Sequence, residues 1–315
     1  MKRMLTMILM CALLVCCTHK DLCYDHPHVS NISVAFNWVE EPEKFPGSMS
    51  VYFFNDVVKE RVPLRFEFTD PSGGKIRLNK GTYRAISVNS DTRSNYVVDG
   101  NDYDTFCVST KDASSLSGLS MFGLTHNDLP RAKGSEDERM SVAPESFWYS
   151  SLTDFEVEYR TDRGMQLEIK PQIVTHNIEI TNVANLKWVY GVSATMSGLS
   201  GGFYPGRGEL SEEAVTISFE ARMDKEKNTI SGSFTSFGHC PGETVPHYLK
   251  IYAVLADNTW WDFTYNVTDL IHNSPDPYNI SIQLDQLPIP KPVANGGGFK
   301  PTVGGWNSVE IELQM

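Results

Sequence analysis

The sequence predicts an all-β protein with two tandem antiparallel β-sandwich domains after a lipoprotein signal peptide. Short segments in which apolar and polar residues alternate recur along most of the chain, as expected for strands with one buried face. No helical pattern of about ten residues separates these segments, which favours antiparallel sandwiches over a parallel α/β sheet. The chain has 315 residues, of which 11% are aromatic, and this is enough for two domains with substantial cores.

The N-terminus has the features of an export signal, which we predict over residues 1–16. Lys2 and Arg3 provide a positive start, and residues 4–15 form an apolar run broken by a single threonine. A membrane-spanning helix needs about 20 apolar residues, so this run is too short to be one. We expect the leader to be removed on export and residues 17–28 to form a polar tether behind it.

The end of the leader resembles the bacterial lipobox, since residues 14–17 read Leu-Val-Cys-Cys. In a lipobox an aliphatic residue lies three places before the lipid-accepting cysteine, and a small residue directly precedes that cysteine. Cys17 fits as the acceptor because the small Cys16 precedes it, whereas Cys16 itself would follow the larger Val15. We therefore predict a lipid anchor, with fatty-acyl groups such as palmitate, on Cys17, and Cys16 is the less favoured alternative.

The first sandwich is predicted over residues 29–155. Alternating segments predict strands at residues 32–38, 49–53, 64–68, 76–78 and 83–87. The last two strands are expected to pair as a hairpin across residues 79–81. Residues 112–141 are rich in serine, glycine and charge, and we predict a long loop there.

The second sandwich is predicted over residues 156–315, so that the domain boundary falls between residues 155 and 156. Strands are expected at residues 165–169, 174–180, 215–223, 230–234, 249–255, 261–267, 280–284 and 309–313. Turn-forming residues at 224–228 and 257–259 predict two hairpins between neighbouring strands.

The acidic composition limits the classes of partner. The whole chain has a formal net charge of −12 with neutral histidines, and loss of Lys2 and Arg3 with the leader makes it −14. A surface with this charge repels phosphate backbones, so we predict no nucleic-acid partner. The sequence has no second long apolar stretch, and the lipid is therefore the predicted attachment to the membrane.

The remaining cysteines do not form a disulfide framework. Once the leader is removed and Cys17 carries the lipid, the thiols of Cys23, Cys107 and Cys240 remain. An odd number of cysteines at long spacings predicts neither a set of disulfides nor a CxxC site. We expect Cys107 and Cys240 to be buried free thiols.

No sequence pattern predicts catalytic or metal chemistry. Residues 198–202 match G-x-S-x-G, but the proline and glycines that follow prevent the helix that this motif requires, so a glycine-rich loop is predicted. His239, Cys240 and His247 fit no standard zinc spacing. His176 shares a strand face with apolar residues and is expected in the core. We therefore predict no catalytic residue, no metal and no cofactor.

Three tryptophans are the candidates for contact with a ligand. Trp260, Trp261 and Trp306 have the large flat side chains that stack on sugar rings. Trp260 and Trp261 are adjacent in a predicted strand, so their side chains point to opposite faces and one of them points away from the core. Packing in the core is the favoured interpretation, and a glycan-binding surface is the alternative.

Several segments resemble a large family of uncharacterised Bacteroidetes lipoproteins. They are residues 17–26, 81–85 (GTYRA), 87–92 (SVNSDT), 237–241 (FGHCP), 291–293 and 296–301. That family resembles the fimbrillin-like superfamily, whose members form shaft, anchor and tip subunits of cell-surface fimbriae. The resemblance covers essentially the whole mature chain. It implies two tandem transthyretin-like sandwiches and export as a lipoprotein to the outer membrane, facing the cell surface.

The resemblance also implies how subunits assemble. In shaft subunits an arginine-directed protease removes an N-terminal strand, and the vacated groove accepts a strand from a neighbouring subunit. Anchor subunits keep their lipid and are not processed in this way. The first arginine after Cys17 is Arg61, and cleavage there would remove the predicted strands at residues 32–38 and 49–53. We therefore expect a non-enzymatic anchor or accessory subunit for pilus assembly and adhesion, with fimbrial subunits as partners through β-strand complementation.

Two other functions remain open at the level of sequence. A lipid-anchored glycan-binding protein of a polysaccharide-uptake system would need exposed aromatic side chains on a common surface. A glycosidase or esterase would need converging carboxylates, or Ser200 beside a histidine, and no spacing in the sequence indicates either arrangement.

Overall fold

The structure is a computed structural model that describes residues 29–55, 62–114, 118–158, 162–241, 245–293 and 305–313. Strands dominate these residues, which confirms the predicted all-β class. The predicted leader and tether lie outside the described residues, together with Cys16, Cys17 and Cys23. Lipidation therefore stays a prediction. No helix of the described segments is long and apolar enough to cross a membrane.

The described elements follow one another in chain order. The strands are β1 (Val29–Trp38), β2 (Met49–Asn55), β3 (Leu64–Phe68), β4 (Gly73–Asn79), β5 (Gly81–Asn89), β6 (Asn95–Val98), β7 (Cys107–Thr110), β8 (Arg139–Ser141), β9 (Trp148–Val157), β10 (Arg163–Pro171), β11 (Val174–Val183), β12 (Val189–Ser200), β13 (Gly202–Tyr204), β14 (Glu209–Leu210), β15 (Ala214–Phe219), β16 (Ala221–Asp224), β17 (Thr229–Ser236), β18 (Tyr248–Leu255), β19 (Trp260–Asn266), β20 (Asn279–Leu287) and β21 (Trp306–Ile311). Helix α1 spans Thr268–His272, and short 3-10 helices span Ser120–Phe122, His126–Asp128 and Leu186–Trp188.

The N-terminal part is built on a seven-stranded sheet with the order β3-β2-β5-β9-β10-β1-β4. Neighbouring strands are antiparallel except β1 and β10, which run parallel. The sheet curls around one core, because the rings of Phe36 on β1 and Phe68 on β3 meet at 5.4 Å although four strands separate β1 from β3 in the sheet. At the two edges, the Phe68 ring lies over Gly74 on β4, where an added Cβ would lie 3.1 Å from the ring.

The core of this sheet comes from the alternating residues that the sequence places on one face of each strand. The main contributors are Ile32, Val34 and Phe36 on β1, Met49, Val51 and Phe53 on β2, and Met165, Leu167 and Ile169 on β10. Burial of an apolar side chain of this size stabilises the fold by about 1.5–3 kcal/mol, so each strand makes a substantial contribution.

The predicted hairpin across residues 79–81 is wrong. β4 pairs with β1, whereas β5 pairs with β2 and β9. Only Lys80 separates β4 from β5, and a hairpin needs a connection of at least about two residues. At Lys80 the chain therefore passes from the edge strand β4 to the interior strand β5, which lies between β2 and β9.

The predicted domain boundary between residues 155 and 156 falls inside β9. In the structure β9 ends at Val157, and β10 follows in the same seven-stranded sheet, between β9 and β1. Strand pairing in this sheet therefore extends to Pro171. The alternation in β10 resembles that of the strands after it, which is why the sequence alone did not assign it to the first sheet.

The C-terminal part is a sandwich of two sheets around a single core. The four-stranded sheet has the order β16-β17-β11-β20, and the six-stranded sheet has the order β21-β19-β18-β12-β15-β8. Both predicted hairpins are confirmed, β16 with β17 and β18 with β19. Parallel pairs also occur, between β11 and β20, β15 and β8, and β19 and β21.

The strand predicted over residues 215–223 is divided between the two sheets of this sandwich. β15 ends at Phe219 in the six-stranded sheet, and β16 begins at Ala221 in the four-stranded sheet. Phe219 and Ala221 are both buried, with the exposed Glu220 between them. The chain therefore crosses from one sheet to the other without losing its contact with the core, a corner that is common in packed β-sheets.

Strands from the two parts of the chain also pair with each other. A small sheet has the order β14-β13-β7-β6, in which β7 pairs with β13. Beneath it lies an aromatic cluster that includes Phe147, Tyr149, Phe203 and Phe237. β8, which belongs to the segment predicted as a long loop, adds to the six-stranded sheet beside β15.

His176 is a core residue, as predicted. Its side chain on β11 is fully buried. The ring stacks on Phe234 with centroids 4.6 Å apart, and Nε2 lies 2.9 Å from Ser236 Oγ. Burial lowers the pKa of His176 to about 3, and the nearby His247 and His239 act in the same direction. The imidazole is therefore neutral in the folded protein at neutral pH.

We expect His176 to make the fold sensitive to acid. The unfolded side chain takes up a proton below about pH 6.5, whereas the folded one does so near pH 3, so stability falls as the pH drops through this window. One such group contributes a slope of about 1.4 kcal/mol per pH unit. Urea unfolding at several pH values should show that the free energy of unfolding of the His176→Gln variant depends less steeply on pH than that of the natural chain. Equal slopes in the two proteins would contradict this account.

Candidate interaction surface on the six-stranded sheet

Part of the segment predicted as a long loop covers the outer face of the six-stranded sheet. Leu119, Leu124 and Leu129 are buried, and they pack against Tyr252 and Val254 of β18. The outer side of β18 is thus as well covered as its inner side. This explains why seven of the eight residues of β18 are apolar or aromatic instead of alternating with polar residues.

The structure brings two of the three candidate tryptophans together and places the third on the other face of the sheet. Trp260 and Trp306 lie on the outer face with ring centroids 5.6 Å apart, and the indole N–H of Trp306 donates to the Asp128 carbonyl at 2.6 Å. Trp261 packs against the sandwich core, near Phe263. All three tryptophans are half-buried. The glycan-binding alternative therefore stays a prediction.

β21 is an edge strand that completes the six-stranded sheet of its own chain. It runs parallel to β19, and Val309 and Ile311 pack against the core. Ser308 Oγ donates to Asp262 Oδ2 at 2.6 Å. Among the described strands, none pairs with the other side of β21. An edge of this kind presents backbone N–H and C=O groups with which a further strand can pair.

A buried ion pair lies beneath this edge. Lys250 Nζ on β18 is 2.5 Å from Asp262 Oδ1 on β19, and the two side chains are 5% and 0% exposed. The other oxygen of Asp262 accepts the hydrogen bond from Ser308. Two charges this far from water are tolerated only when they satisfy each other, so the pair constrains β18, β19 and β21 together.

Charged side chains around β8 line a cleft of about 440 Å³. Arg139 forms ion pairs with Glu213 at 2.9 Å and with Asp112 at 3.1 Å. The carboxylate of Glu138 accepts a hydrogen bond from Thr216 Oγ1 at 2.6 Å, and burial raises the pKa of Glu138. Partners within the chain hold Glu138 and Arg139, and these contacts fix β8 to its sheet. The two side chains therefore do not form an unengaged acid–base pair.

The side chains that could have been nucleophiles are buried and engaged. The predicted glycine-rich loop over residues 198–202 is wrong, because β12 runs to Ser200 and β13 begins at Gly202. Ser200 Oγ lies 2.8 Å from the carbonyl oxygens of Gly202 and Ser211. Cys107 and Cys240 are buried free thiols, as predicted. Burial raises the pKa of Cys107 to about 11, so its reactive thiolate is scarce at neutral pH.

Comparison with protein families identifies the chain at the level of a family. Residues 16–220 match the model of a domain of unknown function, DUF5119. The chain belongs to the DUF5119 family. The matched part of this DUF5119 protein includes the whole seven-stranded sheet and extends through β15. No curated protein matches its sequence.

Three solved structures share the fold of this DUF5119 protein. A candidate adhesin from Bacteroides ovatus is 19% identical with a TM-score of 0.61, over 87% of this chain and 98% of the other. The fimbrial anchor protein Mfa2 from Porphyromonas gingivalis is 10% identical with a TM-score of 0.52, over 82% and 90%. A polysaccharide-binding candidate from Bacteroides thetaiotaomicron is 8% identical with a TM-score of 0.52, over 81% and 90%. The resemblance to fimbrillin-like proteins of Bacteroidetes is thus confirmed as a likeness of fold.

Sequence reasoning missed the main features of this surface in the DUF5119 protein. Lys250 and Asp262 both sit in apolar strands, and an isolated charge within such a run was a signal that a buried partner exists. The leucines that cover the sheet lie in a polar segment without regular spacing, so no periodic pattern marked them.

We expect removal of Lys250 to destabilise the sheet strongly. Lys250→Met leaves the Asp262 carboxylate buried without a counter-ion, which costs about 3–5 kcal/mol. The double variant Lys250→Met/Asp262→Leu removes both charges and should recover most of this loss. The free energy of unfolding from denaturant titration measures both effects.

The matched control is Arg222→Met, which breaks a surface ion pair with Glu220 at 3.3 Å. Exposed pairs of this kind contribute less than about 1 kcal/mol. If Lys250→Met proves as mild as Arg222→Met, the buried pair does not hold the sheet in the way described.

Proposed function

We propose that this protein is a non-enzymatic cell-surface lipoprotein that serves as an anchor or accessory subunit of fimbriae. Its fold is shared with the fimbrial anchor protein Mfa2 and with a candidate adhesin. The predicted lipid on Cys17 attaches the chain to the outer membrane, and the two β-structured parts face away from the cell. The acidic surface suits a partner that is a protein and not a nucleic acid.

The observation that carries the anchor role is the interior position of the two N-terminal strands. β1 lies between β10 and β4, and β2 lies between β3 and β5. β1 buries Ile32 and Val34 in the core. β2 buries Met49 and Val51 in the same core. Loss of both strands by cleavage after Arg61 would open two separate gaps in one sheet.

A single donated strand fills only one such gap, so the assembly mechanism of shaft subunits does not suit this chain. The other gap would expose apolar core residues and the unpaired backbone of two strands. We infer that the protein keeps its N-terminal strands and its lipid. It then takes part in a fimbria as an intact subunit.

We infer that a fimbrial partner joins the six-stranded sheet at β21 by strand addition. The free edge of β21, opposite β19, has no partner strand within the described chain. The apolar side chains of Val309 and Ile311 already pack against the core. An added strand therefore extends the sheet through backbone hydrogen bonds and displaces none of the described strands. Support for this inference is the edge position of β21 together with its attachment to the buried Asp262.

The mature N-terminus tests the anchor role. Intact-mass spectrometry of protein extracted from the cell surface should give a chain that starts at a lipidated Cys17 and retains residues 17–61. The Arg61→Ala variant should differ in intact mass only by the substitution itself. The amount of protein at the cell surface should not change. A mature chain that starts at Val62, or a change of processing in Arg61→Ala, would overturn the anchor role.

Lipidation can be tested with a matched pair of variants. Cys17→Ser removes the predicted acceptor, so the protein should leave the membrane fraction and lose its acyl mass. Cys16→Ser keeps a small residue before Cys17 and should be lipidated normally. Fractionation and mass spectrometry of both variants give the answer, and the reverse result would assign the lipid to Cys16.

A further inference from the structure

Three histidines from separate segments meet at one end of the C-terminal sandwich. His239 follows β17, His247 directly precedes β18, and His272 ends α1. The ring centroids of His247 and His272 are 5.0 Å apart, those of His239 and His272 are 5.2 Å apart, and those of His239 and His247 are 6.1 Å apart. Imidazole is the side chain most used to bind zinc, copper and nickel, so this cluster has the right chemistry for such an ion.

His247 is oriented for ligation by its own surroundings. Its ring is fully buried, and Nδ1 lies 3.2 Å from the carbonyl oxygen of Ser197. A carbonyl only accepts, so Nδ1 carries the proton and Nε2 presents a lone pair on the opposite side. Metal-binding histidines commonly donate the N–H of the other ring nitrogen to a carbonyl or carboxylate in this way, which fixes the ring and raises its basicity.

The lone pair of His247 points to a second nitrogen at almost the spacing of two metal ligands. His247 Nε2 and His272 Nε2 are 3.0 Å apart. Zinc binds histidine nitrogen at about 2.0–2.1 Å with tetrahedral angles, which places two ligating nitrogens about 3.3–3.4 Å apart. The two rings therefore need to separate by only a few tenths of an ångström, with the proton of His272 on Nδ1.

The third ring is free to join them. As the side chains stand, the described residues contain no group of three His, Cys, Asp or Glu side chains arranged to hold a metal ion, so His239 has to turn before it can join the pair. His239 and His272 are both exposed, however, so their rings can turn and the ion can enter from solvent. The backbone of His239 is held by an isolated bridge to Leu199, which keeps the residue beside the pair.

We propose that His239, His247 and His272 form a binding site for a divalent transition-metal ion with the preferences of zinc. The ion replaces the hydrogen bond between His247 and His272 and takes water as its fourth ligand. It joins the segment after β17, the start of β18 and the end of α1. This site is independent of the proposed fimbrial function.

Zinc titration of the mature full-length chain tests the proposal. Calorimetry should show one tight site per chain, and zinc should raise the midpoint of thermal unfolding. His272→Ala and His239→Ala, both at exposed positions, should each weaken binding by about tenfold or more. Cobalt in place of zinc should give the visible absorption of a tetrahedral site.

The matched control is the tether variant His26→Ala/His28→Ala, which removes the other histidine pair that could hold zinc. This variant should retain the tight site. The proposal fails if the natural chain shows no tight site, or if binding survives in His272→Ala and His239→Ala but disappears in the tether variant. Circular dichroism of metal-free variants confirms that loss of binding is not loss of fold.

Discussion

The position of β1 inside the seven-stranded sheet is the constraint on which the N-terminal part depends. A parallel pair cannot be closed by a hairpin, so the ladder between β1 and β10 encloses residues 39–162 within one long connection. The register sets Val34 opposite Met165 and Phe36 opposite Leu167, with all four side chains buried. A slip of one residue would turn the buried face of β1 to solvent, so the core itself specifies this pairing.

Strand pairs that join the N-terminal and C-terminal parts of the chain hold these two parts together. β7 from the first part pairs with β13 from the second, and β8 extends the six-stranded sheet. The approach of β13 to β7 is close enough that a Cβ on Gly202 would lie 2.8 Å from Cys107 Sγ, so glycine is required there. The small sheet thus contains strands from both parts, and the six-stranded sheet of the C-terminal part includes β8 from the segment before it.

The sequence predicted those features that depend on neighbouring residues. Alternation located β1 and β11, and turn residues located the hairpin between β18 and β19, because one buried face and one tight turn both leave local patterns. Pairing over long distances leaves none, and the parallel pairs of β1 with β10 and of β19 with β21 were not predicted. The same limit applies to the sites. The edge of β21 and the convergence of His272 with His247 depend on how β19 and α1 pack, and sequence spacing does not record that.

The interior position of β1 also suits the mechanical task of an anchor. A lipid on Cys17 would transmit force through the tether to the N-terminal end of β1. The ladder with β4 spans Val29–Ala35, and the ladder with β10 spans Ile32–Trp38, so a pull along the strand loads the hydrogen bonds on both sides together. A strand that resists force in this way is costly to remove, because its departure breaks two ladders and opens the core. A shaft subunit loses its N-terminal strand so that a neighbour's strand can take its place, and it therefore needs a strand that leaves easily. An anchor subunit stays attached to the membrane and benefits from a strand that cannot leave.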